Sequence, residues 1–191
     1  YVADGIDGLR VLDVSDPAAI TELDSTITLG DTRHIALNGT SAYLADGAGG
    51  VRVLDITNPA SVVDTGAFGV VDARHVAADG TNIFVAAGAQ GILVLDASDP
   101  NLIVLRGSSA ESDSDANAVT IVGTTAYVAD GIDGLDIIDI SDPSNPTLTG
   151  TYNTSGWAVG VDVSGNYAYI ADGGNGLQII DVNTNCTLNN L

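Results

Sequence analysis

The stretch YVADGIDGLDIIDISDP, residues 127–143, is one copy of a pattern that occurs five times in the 191-residue chain. Each copy begins with an aromatic residue, and successive copies begin 42, 41, 43 and 42 residues apart, at Tyr1, Tyr43, Phe84, Tyr127 and Tyr169. A constant period of this length is typical of repeat proteins, in which each unit buries its apolar surface against its neighbours. The sequence therefore predicts a single domain over residues 1–191.

One repeat contains four short apolar runs, which in the second copy are residues 35–37, 43–45, 51–56 and 62–68. Glycine and aspartate residues between the runs favour hairpin turns, and a proline such as Pro59 ends strand pairing. Four strands in about forty residues form one blade of a β-propeller. We predict an all-β propeller of about five four-stranded blades with a repeat of 41–43 residues. The first blade is predicted to lack its inner strand, and the last to have three or four strands.

The segments GLRVLDVSDP (8–17) and GLDIIDISDP (134–143) resemble the LVIVD repeat family. The resemblance extends from residue 1 to about residue 182. It implies a β-propeller of bacterial and archaeal cell-surface and secreted proteins, related to the YVTN-type surface-layer repeats. An extracellular or cell-surface location follows from the resemblance, but an activity does not, because propellers host unrelated functions.

The composition is strongly acidic, with 25 acidic residues against five arginines, no lysine and a net charge of −20. Such a surface repels phosphate groups, so nucleic acid and anionic membranes are unsuitable partners. No apolar run approaches the roughly 18 residues of a membrane span, and no membrane insertion is predicted. The chain starts inside a repeat and contains no methionine, so we expect it to be a processed product or part of a longer protein.

The motif D-x-R-H occurs at equivalent places in two successive repeats, as DTRH at 31–34 and DARH at 72–75. Both copies stand at the start of the inner strand, where side chains approach the central channel of a propeller. Histidines can bind metals or move protons, and arginines can hold a carboxylate. The candidate ligand-binding residues are Arg33, His34, Arg74, His75 and Trp157, the last from the corresponding part of the fifth repeat. The structural alternative is that each Asp pairs with its own Arg, while each His bonds a neighbouring blade's carbonyl.

Two turns of sequence DGIDG, at 4–8 and 130–134, each carry two carboxylates three residues apart. Calcium takes six to eight oxygen ligands and often draws them from such loops. Asp4, Asp7, Asp130 and Asp133 are therefore the candidate metal ligands, although a plain hairpin turn is the favoured interpretation. No cofactor is predicted, and Ca²⁺ at these turns is the open alternative.

Two further aspartates recur along the repeats. The first lies near the end of the third strand in every repeat and is predicted to accept hydrogen bonds from the backbone of the next turn; it is Asp13, Asp55, Asp96, Asp139 and Asp181. The second follows the second strand but is replaced by Ala87 in the third repeat, so no role is expected for a complete ring; it is Asp4, Asp46, Asp130 and Asp172. Leu54 and Ile138 are expected to be buried between sheets.

Two further regions lie outside the regular pattern. Residues 108–115 are predicted to form a mobile connection between blades. Cys186, the single cysteine, has no internal partner for a disulfide and is interpreted as an incidental thiol, or one that pairs between chains.

The sequence contains no serine elbow, zinc-binding histidine pair, phosphate loop or nucleotide-binding fingerprint. We therefore expect a noncatalytic cell-surface or secreted propeller that binds a protein partner or assembles with itself. The alternative is a propeller that binds a ligand or metal at the channel mouth. An enzyme of unknown reaction is the third hypothesis.

Overall fold

The computed structural model describes residues 1–109 and 115–183. The described residues form five antiparallel sheets and one short 3₁₀ helix, Gly173–Asn175, so the all-β prediction is confirmed. No helix in these two ranges has the length and apolar character needed to span a membrane. Most of the predicted mobile connection, and Cys186, lie outside the described residues.

The described strands follow the repeat, and the sheets are the blades. The first blade contains β1 (Val2–Ala3), β2 (Leu9–Asp13) and β3 (Thr21–Thr26). The second contains β4 (His34–Asn38), β5 (Ser41–Ala45), β6 (Val51–Asp55) and β7 (Val63–Phe68). The third contains β8 (His75–Asp79), β9 (Asn82–Ala86), β10 (Ile92–Asp96) and β11 (Val104–Ser109). The fourth contains β12 (Ala116–Val122), β13 (Thr125–Asp130), β14 (Gly134–Asp139) and β15 (Thr147–Tyr152). The fifth contains β16 (Gly160–Ser164), β17 (Tyr167–Ala171) and β18 (Leu177–Asp181).

Each sheet is an antiparallel meander, in which strands adjacent in sequence are adjacent in space. This is the topology of propeller blades, and five such sheets fit the predicted five-bladed propeller. The first sheet has no strand at the place of β4, which confirms that its inner strand is lacking. The fifth sheet has three strands among the described residues, and a fourth would fall on residues 184–191, outside them.

The predicted aspartate turns are present in every repeat. The aspartate that ends the third strand accepts a hydrogen bond from the backbone N–H two residues later, over 2.8–2.9 Å, in all five repeats. These bonds favour the ionised carboxylate. They lower the pKa of Asp13 and Asp139 chiefly through the backbone of the following serine, and that of Asp55 chiefly through the Thr57 hydroxyl. The prediction for this position is confirmed.

The chain divides into two compact units, residues 1–83 with 96–104, and residues 84–95 with the described residues from 105 onward. In the first unit, Leu9 and Val11 of β2 pack against the second blade, where Leu44 and Leu54 are fully buried. In the second unit, the corresponding residues of β14 pack against the fifth blade. Both units therefore bury their apolar side chains between successive sheets. Leu54 (0% exposed) and Ile138 (4%) are buried as predicted.

The turn before the third strand brings two pieces of backbone into close contact. Gly50 immediately precedes this strand and has a φ of +82°, and a Cβ there would collide with the carbonyl oxygen of Phe68 at the end of β7. Glycine is required here both for the positive φ and for the close approach. The same combination occurs at Gly8 and Gly134, so it belongs to the repeat.

Candidate functional site

The two D-x-R-H motifs lie where the sequence predicts, at the start of the inner strands. β4 begins at His34 and β8 at His75. The Arg33 N–H donates to the carbonyl of Ala45 over 2.8 Å, which continues the β4–β5 pairing by one residue. A bridge between Gly47 and Ala73 fixes the second motif to the turn of the preceding blade. The backbone therefore sets the position of both motifs.

The charged side chains of the two motifs form one ion-pair network. Arg33 contacts Asp31 of its own motif (Nε–Oδ2 3.2 Å) and Asp72 of the next motif (Nη1–Oδ1 2.6 Å). Arg74 contacts Asp72 as well (Nε–Oδ2 2.7 Å). Each aspartate thus meets its own arginine, as the structural alternative proposes. The bond between Arg33 and Asp72 additionally joins two blades.

The network shifts the ionisation of its members. The pKa of Arg33 is raised, chiefly by its hydrogen bond to Asp72. Burial acts to raise the pKa of Asp72, but the hydrogen bonds and charges of Arg74 and Arg33 outweigh it, and the pKa is lowered. Arg33 and Asp72 are therefore charged at neutral pH and paired with each other.

The two histidines are stacked. The ring centroids of His34 and His75 lie 3.4 Å apart, and the ring planes are inclined by 21°. The Nδ1 atoms of both rings are buried and have no hydrogen-bond partner among the described residues. Burial lowers the pKa of His34, against the opposing effect of a hydrogen bond to the backbone of Val76. Burial and the neighbouring His34 lower the pKa of His75 to about 3.

This stack limits the chemistry that the histidines can perform. Both imidazoles are neutral near pH 7, because their pKa values lie below the usual 6.5. The lone pair of a ring nitrogen lies in the plane of its ring. Because the two ring planes are nearly parallel, the lone pairs of His34 and His75 run alongside each other. They do not converge on a single metal ion at bonding distance. The pair is better suited to packing than to joint coordination.

The fifth candidate, Trp157, belongs to the second unit, where it lies just before Ala158, the partner of the Gly131 bridge. This is the repeat position of Asp31 and Asp72. The Trp157 side chain is 48% exposed.

The candidate calcium ligands are engaged with protein groups. Asp4, Asp7 and Glu22 all contact the guanidinium of Arg10, the last two over 3.6 and 2.8 Å. Asp130 is 2% exposed and accepts the backbone N–H of Asp115. The Asp133 N–H closes the turn onto the Asp130 carbonyl over 2.9 Å. Residues 1–109 and 115–183 contain no group of three or more His, Cys, Asp or Glu side chains placed to hold a metal ion.

The second recurrent aspartate has a role that was not predicted from the sequence, which offered only Asp4 and Asp130 of this set, as candidate metal ligands. Asp46 is fully buried and accepts hydrogen bonds from Thr28 (2.6 Å), Thr32 (2.7 Å) and the Gly30 N–H (3.0 Å). These three residues lie between the first and second blades. Asp46 therefore anchors the connection between successive blades.

Two other aspartates at this position bind the corresponding connection. Asp172 accepts the Thr154 hydroxyl, and Asp130 accepts the Asp115 N–H. The sequence does carry a signal for this role, because a threonine precedes both Asp46 and Asp172 by 18 residues. The anchor is thus a feature of several repeats and does not need a complete ring.

Comparison with known proteins agrees with this repeat structure. A family model described as the LVIVD repeat matches residues 1–28, 29–68, 71–110, 113–154 and 155–189. The chain belongs to the LVIVD repeat family. These five matches account for nearly the whole chain and confirm the resemblance seen in the sequence. None of the curated proteins matches the sequence significantly.

Solved structures similar to this LVIVD-repeat chain include two designed proteins. The computationally designed Ika4 protein is 10% identical, with a TM-score of 0.65 over 81% of this chain and 92% of the design. The computationally designed Ika8 protein is 11% identical, with a TM-score of 0.67 over 85% of this chain and 50% of the design. At such low identity these matches support the repeat β-propeller fold alone.

Proposed function

We propose that this LVIVD-repeat propeller is a noncatalytic interaction or assembly module of a secreted or cell-surface protein. The observation that supports this most is the exposure of two large apolar side chains on β18, Leu177 (63%) and Ile179 (59%). Their counterparts on β2, β6, β10 and β14 are all at most 6% exposed. A surface that is buried in every other repeat is suited to binding protein.

The ion-pair network and the histidine stack favour a noncatalytic role. The charged groups of both D-x-R-H motifs are bonded to one another, and the histidines are neutral and stacked. A general base must instead face a substrate within hydrogen-bond distance. The location rests on the LVIVD resemblance, and the acidic, lysine-free composition argues against anionic partners.

The test combines an activity screen with a binding measurement. The purified chain would be assayed with chromogenic ester, phosphate and glycoside substrates, alongside His34→Ala and His75→Ala. Sedimentation velocity of the fluorescently labelled chain, alone and mixed with extracellular proteins of its source, would measure association. The proposal is supported if the chain associates, if Ile179→Glu abolishes this association and if Ile132→Glu leaves it unchanged. Hydrolysis that disappears in either histidine variant would overturn it.

The second candidate is a ligand- or metal-binding propeller that uses Arg33, His34, Arg74, His75 and Trp157. It is favoured by the buried, unpartnered Nδ1 atoms of His34 and His75, which are available as acceptors. Thermal-shift measurements with Zn²⁺, Ca²⁺ and a saccharide panel would test it. A shift with Zn²⁺ or a saccharide that is lost in His34→Ala, or a Ca²⁺ shift lost in Asp133→Asn, would favour this candidate over the first.

A further inference from the structure

The same packing of one blade on the next occurs in both compact units. Leu9 and Val11 of β2 pack against β5 and β6 of the next blade, at Leu44 and Leu54. In the second unit, Leu135 and Ile137 of β14 play the part of Leu9 and Val11, against the same two positions of the fifth blade. A blade thus has a forward face, formed by two alternate residues of its third strand, such as Leu9 and Val11 in β2 or Leu135 and Ile137 in β14. It also has a backward face, on its second and third strands and on the residues that follow the third strand.

The forward face of the fifth blade consists of Leu177 and Ile179. The repeat register makes these residues equivalent to Leu135 and Ile137, which are 0% and 6% exposed. Beside them lies a cleft of about 320 Å³, lined by Val159, Ala171, Asp172, Gly173, Gly176 and Leu177. The equivalent glycines Gly5, Gly47, Gly88 and Gly131 bridge to the following blade, and no such bridge is formed at Gly173 within the described residues.

The backward face of the first blade is exposed in the same way. Val2 and Val14 are 40% and 63% exposed, whereas their equivalents Leu44 and Ile56 in the second blade are 0% and 8% exposed. Ile20 extends this face and is 55% exposed. Its equivalent, Val62, packs on the cluster around Leu9. The backward face of the first blade is therefore Val2, Val14 and Ile20, together with the half-buried Leu12, the equivalent of Leu54.

We propose that a second copy of this chain docks the backward face of its first blade on the forward face of the fifth blade. The inference rests on the proposed function and names the partner. The two exposed faces are the two halves of an interface that the chain already forms within each unit, so their shapes and apolar positions are matched by the repeat itself. The contact is heterologous, because it joins two different surfaces. Each copy therefore keeps one face open for a further copy or for ring closure.

The first part of the test is association of the 191-residue chain with itself. Sedimentation velocity and light scattering over a wide concentration range should show concentration-dependent oligomers. Ile179→Glu on the forward face, and Val14→Glu on the backward face, should each raise the dissociation constant by about 100-fold or more, because a charge would be buried without a partner. Ile132→Glu is the matched control, since Ile132 is 60% exposed in a hairpin turn and lies on neither face. It should associate like the wild type.

The second part of the test distinguishes a heterologous contact from any other. Ile179→Glu retains an intact backward face, and Val14→Glu retains an intact forward face. A mixture of the two variants should therefore form a one-to-one dimer that grows no further, although each variant alone is monomeric. Circular dichroism and melting temperatures close to those of Ile132→Glu would establish that both variants are folded.

Three results would overturn the inference. They are a wild-type chain that stays monomeric at every concentration, association that both face variants retain, and a mixture of the variants that remains monomeric. If another extracellular protein bound at Ile179 and the chain did not associate with itself, a second copy would be rejected as the partner, and the proposed function would stand. Hydrolytic activity dependent on His34 or His75 would instead reject the proposed function, whatever the oligomeric state.

Discussion

The imidazole ring of His75 lies against that of His34, with the ring centroids 3.4 Å apart. The two residues are 41 positions apart in sequence and begin the inner strands of adjacent blades. Their contact therefore depends on how one blade packs on the next. Protonation of either ring would place a charge in a buried position, which is why both pKa values are lowered.

This stack predicts a loss of stability at mildly acidic pH. The pKa of His75 is about 3 in the folded protein and 6.5 when unperturbed, so between these values the unfolded chain binds more protons. The free energy of unfolding should therefore fall as the pH drops below 6.5, by at most about 1.4 kcal/mol per pH unit for each histidine. Urea unfolding between about pH 7 and pH 5, above the range in which carboxylates titrate, measures this slope.

The matched variant for this prediction is His75→Phe, which keeps an aromatic ring in the stack and removes one titrating group. The slope of its free energy of unfolding against pH should be smaller by the contribution of one proton, which is at most about 1.4 kcal/mol per pH unit. An unchanged slope would mean that His75 is charged in the folded protein, contrary to its burial against His34.

Replacing the buried aspartate Asp46 should destabilise the connection between the first two blades. Asp46→Ala leaves the Thr28 and Thr32 hydroxyls and the Gly30 N–H without their acceptor. Loss of acceptors for several buried donors should lower the free energy of unfolding by about 2–5 kcal/mol, measured by chemical denaturation. Asp4→Ala is the control, because Asp4 holds the same repeat position but is partly exposed and contacts Arg10. A similar loss in both variants would contradict the anchoring role of Asp46.

Gly50 and Gly176 separate the effect of a positive φ from that of a close contact. Both residues have a positive φ, +82° at Gly50 and +73° at Gly176. A Cβ at Gly50 would collide with the carbonyl of Phe68 on the neighbouring strand. Among the described residues, nothing lies within 4 Å of a Cβ at Gly176. Gly176→Ala should therefore cost about 1–3 kcal/mol from backbone strain alone, because its φ of 73° and ψ of −138° suit glycine almost exclusively. Gly50→Ala should cost about 1–3 kcal/mol more than Gly176→Ala, since overlap adds to strain. Equal losses in thermal or urea unfolding would show that the Gly50 turn relaxes freely.

The sequence predicts this fold well wherever the determinants are local. The four strands of a repeat, the aspartate turn exemplified by Asp55, and the burial of Leu54 follow from alternating apolar residues, glycine and proline, which act over a few positions. The aspartate at position 46 was harder to interpret, because its partners lie 14 to 18 residues away in the preceding connection. Local patterns hold no information on such contacts.

The candidate site was predictable in position but not in geometry. The D-x-R-H motifs do begin the inner strands, yet the bond between Arg33 and Asp72 and the stacking of the histidines arise from the packing of one blade on another. The exposure of Ile179 is a related case. Its local sequence resembles that of Ile137, and the difference comes from the neighbour that covers one and not the other.

The same leucine position in two repeats provides the clearest test of this dependence on neighbours. Leu135 and Leu177 each begin the forward face of a blade, but Leu135 is 0% exposed and Leu177 is 63% exposed. Leu135→Ala should lower the free energy of unfolding by about 2–5 kcal/mol, because it removes buried methyl groups and leaves a cavity beside the fifth blade. Leu177→Ala should change it by at most about 0.5 kcal/mol at concentrations where the chain is monomeric. As protein concentration rises, Leu177→Ala should also lose any stability that self-association gives the wild type. Equal losses in the dilute protein would show that Leu177 is buried within the single chain, and the forward face of the fifth blade would then not be free to bind a partner.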